Sequence, residues 1–107
     1  MHFLSSSKSK ELFVAILSLK NESECKRFLR DLLTEAEIKE FANRWKVAQM
    51  LDQKVQYKKI EKQTGMSSTT IARINKWLEN GMGGYRLMIT RLNKQNKKVH
   101  HTSLPAV

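Results

Sequence analysis

The side chains of this chain that could do chemistry fall into two groups, and only one is numerous. Nucleophile and metal chemistry would have to draw on one cysteine, Cys25, and on His2, His100 and His101 near the two ends. That set offers no Ser/His/Asp or Cys/His arrangement, no zinc-ligand spacing and no partner for a disulfide. No enzyme is expected, and no metal- or disulfide-stapled fold. Cations abound, with 20 Lys and Arg against 10 Asp and Glu, a formal net charge of +10. Their distribution is uneven. Residues 1–55 hold 10 basic and 8 acidic side chains, whereas residues 56–107 hold 10 basic ones against only Glu61 and Glu79. Clustered Lys and Arg gain from displacing counterions on a phosphate backbone. Charge alone fits a solvated basic face or tail equally well, so the spacing of other residues has to decide.

Within the basic half, residues 57–74 read Tyr-Lys-Lys-Ile-Glu-Lys-Gln-Thr-Gly-Met-Ser-Ser-Thr-Thr-Ile-Ala-Arg-Ile, the layout of a DNA-reading helix-turn-helix. Ile60 packs inward from the first helix, Gly65 supplies the left-handed turn that a Cβ penalises, and Ile71 and Ile74 pack the second helix back. Ser67 is a good N-cap. The turn it opens presents Ser68, Thr69 and Thr70, short hydroxyl side chains able to approach base edges, with Arg73 one turn further and Lys76 beyond it. Lys58, Lys59 and Lys62 stand where the first helix crosses the phosphates. Glu61 departs from the usual pattern, which has a small residue there. It is expected to face solvent or pair with a lysine, with an altered angle between the two helices.

These groups must be held by helices, because the only proline is Pro105 and glycine occurs only at Gly65 and within residues 81–84. The spacing predicts a helix from about Lys8 to Leu19, after a flexible lead over residues 1–7. A second helix follows, capped by Asn21 with Glu24 three residues on, and Phe28, Leu29, Leu32 and Leu33 form its apolar side. Thr34-Glu35-Ala36-Glu37 is a capping box, and Ile38, Phe41, Ala42, Trp45, Ala48 and Leu51 continue as a helical stripe to about Asp52. Shorter helices are expected at about Tyr57 to Gln63 and Ser68 to Asn80, then a break over residues 81–84 and a last helix from about Tyr85 to Asn93. From Lys94 the periodicity is lost, and residues 94–107 read as a basic tail without regular structure. Trp45 and Trp77 are expected in the core.

The fold class is therefore all-α, a single six-helix domain over residues 8–93. The first three helices carry apolar stripes too wide for so short a chain to bury alone, which predicts burial against a second copy. The longest apolar run, Leu12 to Leu17, is far short of the roughly 20 residues that span a bilayer. No membrane partner is expected, and the expected location is a reducing cytoplasm.

The segment from Leu32 to Leu78, and more loosely Leu12 to Leu92, resembles the bacterial Trp repressor superfamily, most closely its Trp repressor-like (YerC/YecD) branch. The resemblance is carried by Leu-Leu-Thr-x-x-Glu at 32–37, Arg44 with Val47-Ala48-x-Met50-Leu51, Tyr57-x-x-Ile60, Thr64-Gly65-x-Ser67-x-x-Thr70-Ile71-x-Arg73-Ile74-Asn75, and Gly83-Gly84-Tyr85. It implies an intertwined homodimer whose two helix-turn-helix units enter successive major grooves of a palindromic operator, in a transcriptional regulator, most simply a repressor. That geometry comes with the family and not from the spacing of this sequence. It also implies a small corepressor such as L-tryptophan, held by residues matching Thr34, Arg44 and Arg73. The serine that binds the ligand's amino group in the family is replaced by Trp77. Each of the three has a plainer role open to it: Thr34 as a helix cap, Arg44 paired with Glu40, Arg73 on a phosphate. Apart from the resemblance, the basic half also suits a protein-interaction or RNA-associated module without operator specificity.

Overall fold

Local capping signals decide where the helices begin. The computed structural model describes residues 2–103, which form a short 3-10 turn at His2–Ser5 and six helices: α1 (Ser7–Leu17), α2 (Glu22–Leu32), α3 (Glu35–Asp52), α4 (Tyr57–Thr64), α5 (Ser68–Asn80) and α6 (Gly84–Ser103). Asn21 Oδ1 accepts the Glu24 amide at 2.9 Å, and the Glu24 carboxylate reaches back to the Lys20 amide at 2.9 Å. At Thr34 the capping box is reciprocal, since Thr34 Oγ1 accepts the Glu37 amide at 3.1 Å and the Glu37 carboxylate accepts the Thr34 amide at 2.9 Å. Both helix starts are therefore those that the sequence announces.

Three boundaries differ from expectation. Residues 2–5 of the lead expected to be flexible form the 3-10 turn, and Ser6 caps α1 by accepting the Ser9 amide at 3.2 Å. The helix then ends at Leu17 and not Leu19, where the Ser18 amide is shared between the Val14 and Ala15 carbonyls and the Leu19 amide bonds the Ile16 carbonyl, all at 3.1 Å, a tightened last turn. At the other end α6 continues past Asn93 to Ser103. Loss of apolar periodicity ends a buried stripe, not a helix, and no glycine or proline interrupts this stretch before Pro105. Of the expected tail, residues 104–107 lie outside the described residues.

The chain divides into two compact units, residues 1–39 and residues 40–107. In the first, neither α1 nor α2 buries a single residue, and Phe13, Val14, Ile16, Leu17 and Leu32 are exposed. The second unit has a core. Val47, Ala48, Met50 and Leu51 of α3 pack with Ile60 of α4, Ile71, Ile74 and Leu78 of α5 and Ile89 of α6, and Trp45, Val55, Met66 and Tyr85 lie against this cluster. The indole of Trp45 stacks on the Tyr85 ring, with centroids 6.3 Å apart and planes 19° from parallel.

Trp77 corrects the sequence reading. Its side chain is 43% exposed, whereas Leu78 beside it is buried. One residue along a helix turns the side chain by about 100°, and the Ile71, Ile74 and Leu78 line is the one that faces the core.

The passage from α3 to α4 is set by Lys54, which holds φ at 64°, the only non-glycine residue with positive φ among the described residues. Its amide bonds the Leu51 carbonyl and the Val55 amide bonds the Met50 carbonyl, both at 3.0 Å. This is a Schellman turn with lysine where glycine is usual, and Val55 supplies the apolar contact that accompanies it.

Candidate nucleic-acid interface

The turn between α4 and α5 is built as its residues dictate. Gly65 closes α4 at φ 73°, and its amide bonds the Glu61 carbonyl at 2.8 Å. A Cβ at Gly65 would meet nothing within 4 Å, so the glycine is there for its backbone conformation and not for space. Thr64 fills the joint from the α4 side, its hydroxyl donating to the Ile60 carbonyl at 2.7 Å and accepting the Met66 amide at 3.2 Å. Ser67 then caps α5. Its Oγ accepts the Thr70 amide at 3.2 Å and donates to Thr70 Oγ1 at 3.1 Å.

Packing fixes which faces remain outside. Ile60 is the buried residue of α4, and Lys58 and Lys62 lie one turn apart on the side of the helix away from it, with Lys59 on the flank. On α5 the buried line is Ile71, Ile74 and Leu78, which leaves Thr69, Arg73 and Lys76 at i, i+4 and i+7 as an exposed stripe on the opposite side. Ser67 and Ser68 are also exposed, while Thr70 is half-buried with its hydroxyl engaged by the cap. Glu61 is half-buried and belongs to no ion pair among the described residues.

The ion pairs distinguish the two halves. Lys26, Lys39 and Arg44 are each matched with a glutamate four residues earlier on their own helix. Among the described residues none of Lys58, Lys59, Lys62, Arg73 or Lys76 takes part in an ion pair. Five cations thus stand unneutralised on the outward faces of two consecutive helices, which is the arrangement that gains most from a polyanion.

Of the three residues matched to a corepressor site, two are otherwise engaged and the third is exposed. Thr34, in the first unit, is the capping residue of α3 and exchanges both of its short-range bonds with Glu37. In the second unit Arg44 donates from Nε to Glu40 at 3.1 Å, and Arg73 belongs to the exposed stripe of α5. Arg44 also borders an open depression of about 270 Å³ with Phe41, Trp45 and Tyr85. Burial pushes the Tyr85 phenol above its ordinary value of 10.0, and the nearby Arg44 charge pulls the other way. Trp77 is not among the residues that line this depression.

One feature escaped the sequence reading. Arg86, at the start of α6, donates from Nη1 to Asp52 at 2.5 Å and reaches Glu79 with Nη2 at 3.5 Å. Asp52 and Arg86 are 34 residues apart, and no local pattern connects them.

Comparison with known proteins agrees with this construction. Residues 7–93 match the family model described as Trp repressor protein. The uncharacterized protein YerC of Bacillus subtilis (strain 168) is 43% identical over 84 residues, 78% of this chain and 81% of that protein. Among solved structures, a TrpR-like protein from Eubacterium eligens superposes with a TM-score of 0.84 at 38% identity, covering 87% of this chain and 96% of the other. A candidate Trp repressor from Staphylococcus aureus gives 0.78 at 39% identity, covering 82% and 88%. With its helix-turn-helix and six-helix order matched along most of its length, the chain belongs to the Trp repressor family, in its YerC-like branch.

Proposed function

We propose that the protein is a DNA-binding transcriptional regulator, a repressor in the simplest form, that reads a palindromic operator through the major groove as a homodimer. The observation that carries this reading is the outward face of α4 and α5, where Lys58, Lys59, Lys62, Arg73 and Lys76 are exposed and unpaired among the described residues on a turn shaped by Gly65 and Ser67. Lysines of α4 position the protein on phosphates, and Ser68, Thr69 and Arg73 reach the base edges. Ser67 and Thr70 hold the first turn of α5 in shape between them.

The homodimer is supported by the first unit, whose α1 and α2 bury nothing, and by Phe41 of α3, which is also exposed. Apolar side chains left in water on several helices are the sign of a surface completed elsewhere. The site of action is chromosomal DNA in the cytoplasm. No described helix is long and apolar enough to cross a membrane.

Selection of binding sites from random duplex DNA tests the proposal directly. A recovered palindrome, with half-sites about one helical turn apart, is the expected result. Recovery of no preferred site, together with equal affinity for structured RNA and random duplex, would favour the RNA-associated or protein-interaction module instead. Sedimentation at micromolar concentration tests the dimer separately.

A further inference from the structure

We infer that Arg86 is the positioning residue that staples the helix-turn-helix to the core helix α3, and so sets the angle at which α5 is presented to DNA. The effect on DNA rests on the function proposed above, but the staple itself does not.

Every other ion pair among the described residues closes a turn within a single helix, and only Arg86 joins different helices. Its two partners occupy particular places. Asp52 is the last residue of α3, where the chain is about to enter α4, and Glu79 is the penultimate residue of α5, where the chain is about to leave. One guanidinium therefore ties the entry of the helix-turn-helix to its exit, with both anchored at the first turn of α6.

The covalent connections cannot do this alone. On the exit side Gly83 stands at φ 85°, Met82 is exposed, and a Cβ placed on Gly83 or Gly84 would find no atom within 4 Å. On the entry side the turn at Lys54 and Val55 fixes the local path of the chain, and the Arg86 to Asp52 bond ties that end to α6. Beneath the head, Ile71, Ile74, Leu78 and Ile89 hold the helices together, and the guanidinium adds a polar tie at the rim of that packing. The Arg86 fork bonds the Asp52 carboxylate directionally and reaches Glu79 as an ion pair. It also sets a positive charge against Glu79, one of only two carboxylates in residues 56–107, and so offsets that negative charge.

Because the three side chains are partly in water, at 46% exposure for Arg86, 24% for Asp52 and 52% for Glu79, loss of the staple should barely alter global stability. That separates positioning from a merely structural role. The test compares the wild type with Arg86→Gln, Arg86→Lys and the exchanged pair Asp52→Arg/Arg86→Asp, the last carried in a Glu79→Gln background so that the new carboxylate does not face Glu79. In Arg86→Gln, amide hydrogen exchange in α4 and α5 should rise by about fivefold or more while α2 is unchanged and Tm moves by only a few degrees. On the operator recovered with the wild type, affinity should fall about tenfold and tolerance of altered half-site spacing should widen. Arg86→Lys keeps the charge without the fork and should fall between, and the exchanged pair should restore slow exchange.

Unchanged exchange in α4 and α5 overturns the inference, and so does a rise spread evenly over every helix. If Arg86→Gln fails to fold, slow α4 and α5 exchange in the exchanged pair supports the staple, and fast exchange confined to those helices overturns it. If the wild type recovers no operator, the DNA-reading proposal fails by itself, and the exchange data still decide the staple.

Discussion

Ser67 and Thr70 are bonded to each other twice, through the Thr70 amide at 3.2 Å and through their two hydroxyls at 3.1 Å. The Ser67 side chain is therefore a structural part of the reading head, not only a polar group on its surface. Ser67→Ala should cost about 1 kcal/mol of stability, seen as a lower Tm, because the cap is lost. Ser67→Asp keeps a capping oxygen but adds a negative charge at the first turn of α5. It should preserve Tm and abolish DNA binding, and a variant that bound normally would remove that turn from the interface.

The exposed cations make separate forecasts for affinity and specificity. Lys62→Ala should weaken binding to all sequences alike and lower the logarithmic salt slope by about 0.9, the contribution of one neutralised phosphate. Substitution of Thr69, whose hydroxyl forms no described bond, should change which base is preferred more than substitution of Thr70, whose hydroxyl is occupied. Titration of affinity against salt, followed by competition among operator variants, checks both.

Two residues in left-handed backbone give opposite predictions. Lys54 carries a side chain at φ 64°, so Lys54→Gly should raise stability by up to about 1 kcal/mol. Gly65 at φ 73° has open space around it, yet Gly65→Ala should lower stability by about 1 kcal/mol through backbone strain alone. Thermal unfolding of the two variants under one buffer condition reads both signs.

Tyr85 predicts a dependence on alkaline pH. Its folded pKa is raised above 10.0 mainly by burial, so the neutral phenol is the form the fold prefers. The corresponding stability is present in full below pH 10 and is lost as the pH climbs through the raised value. Absorbance titration in a Tyr57→Phe background should show Tyr85 ionising above pH 10. Arg44→Ala should push it higher still, because the Arg44 charge now holds it down.

The residues matched to a corepressor predict no response to tryptophan. Thr34 and Arg44 already have partners at or within their own helix. Addition of millimolar L-tryptophan should leave operator affinity unchanged. A tenfold tightening would restore the ligand role to Arg44 and Arg73.

What the sequence made legible was local. Asn21, Thr34 and Ser67 announce their helices because a cap and its partner amide lie three residues apart, and Gly65 announces a turn because only its backbone conformation suits glycine. The bounds of α5 were readable for the same reason. The Arg86 staple was invisible because its partners are brought together by folding across 34 residues. Trp77 misled because an indole near a buried stripe reads as core until the phase of the helix is fixed by Ile71, Ile74 and Leu78. At α6 the apolar periodicity fades near Asn93 whereas the helix itself runs on to Ser103.

The first unit has a wider consequence. Helices that hide no side chain of their own gain little by folding alone, so whatever surface completes α1 and α2 also governs how firmly they are held. If that surface is a second copy, stability becomes a function of protein concentration. Dilution would then loosen the regulator at the same time as it emptied the operator, and a cell could silence it by dosage alone, without any signal molecule.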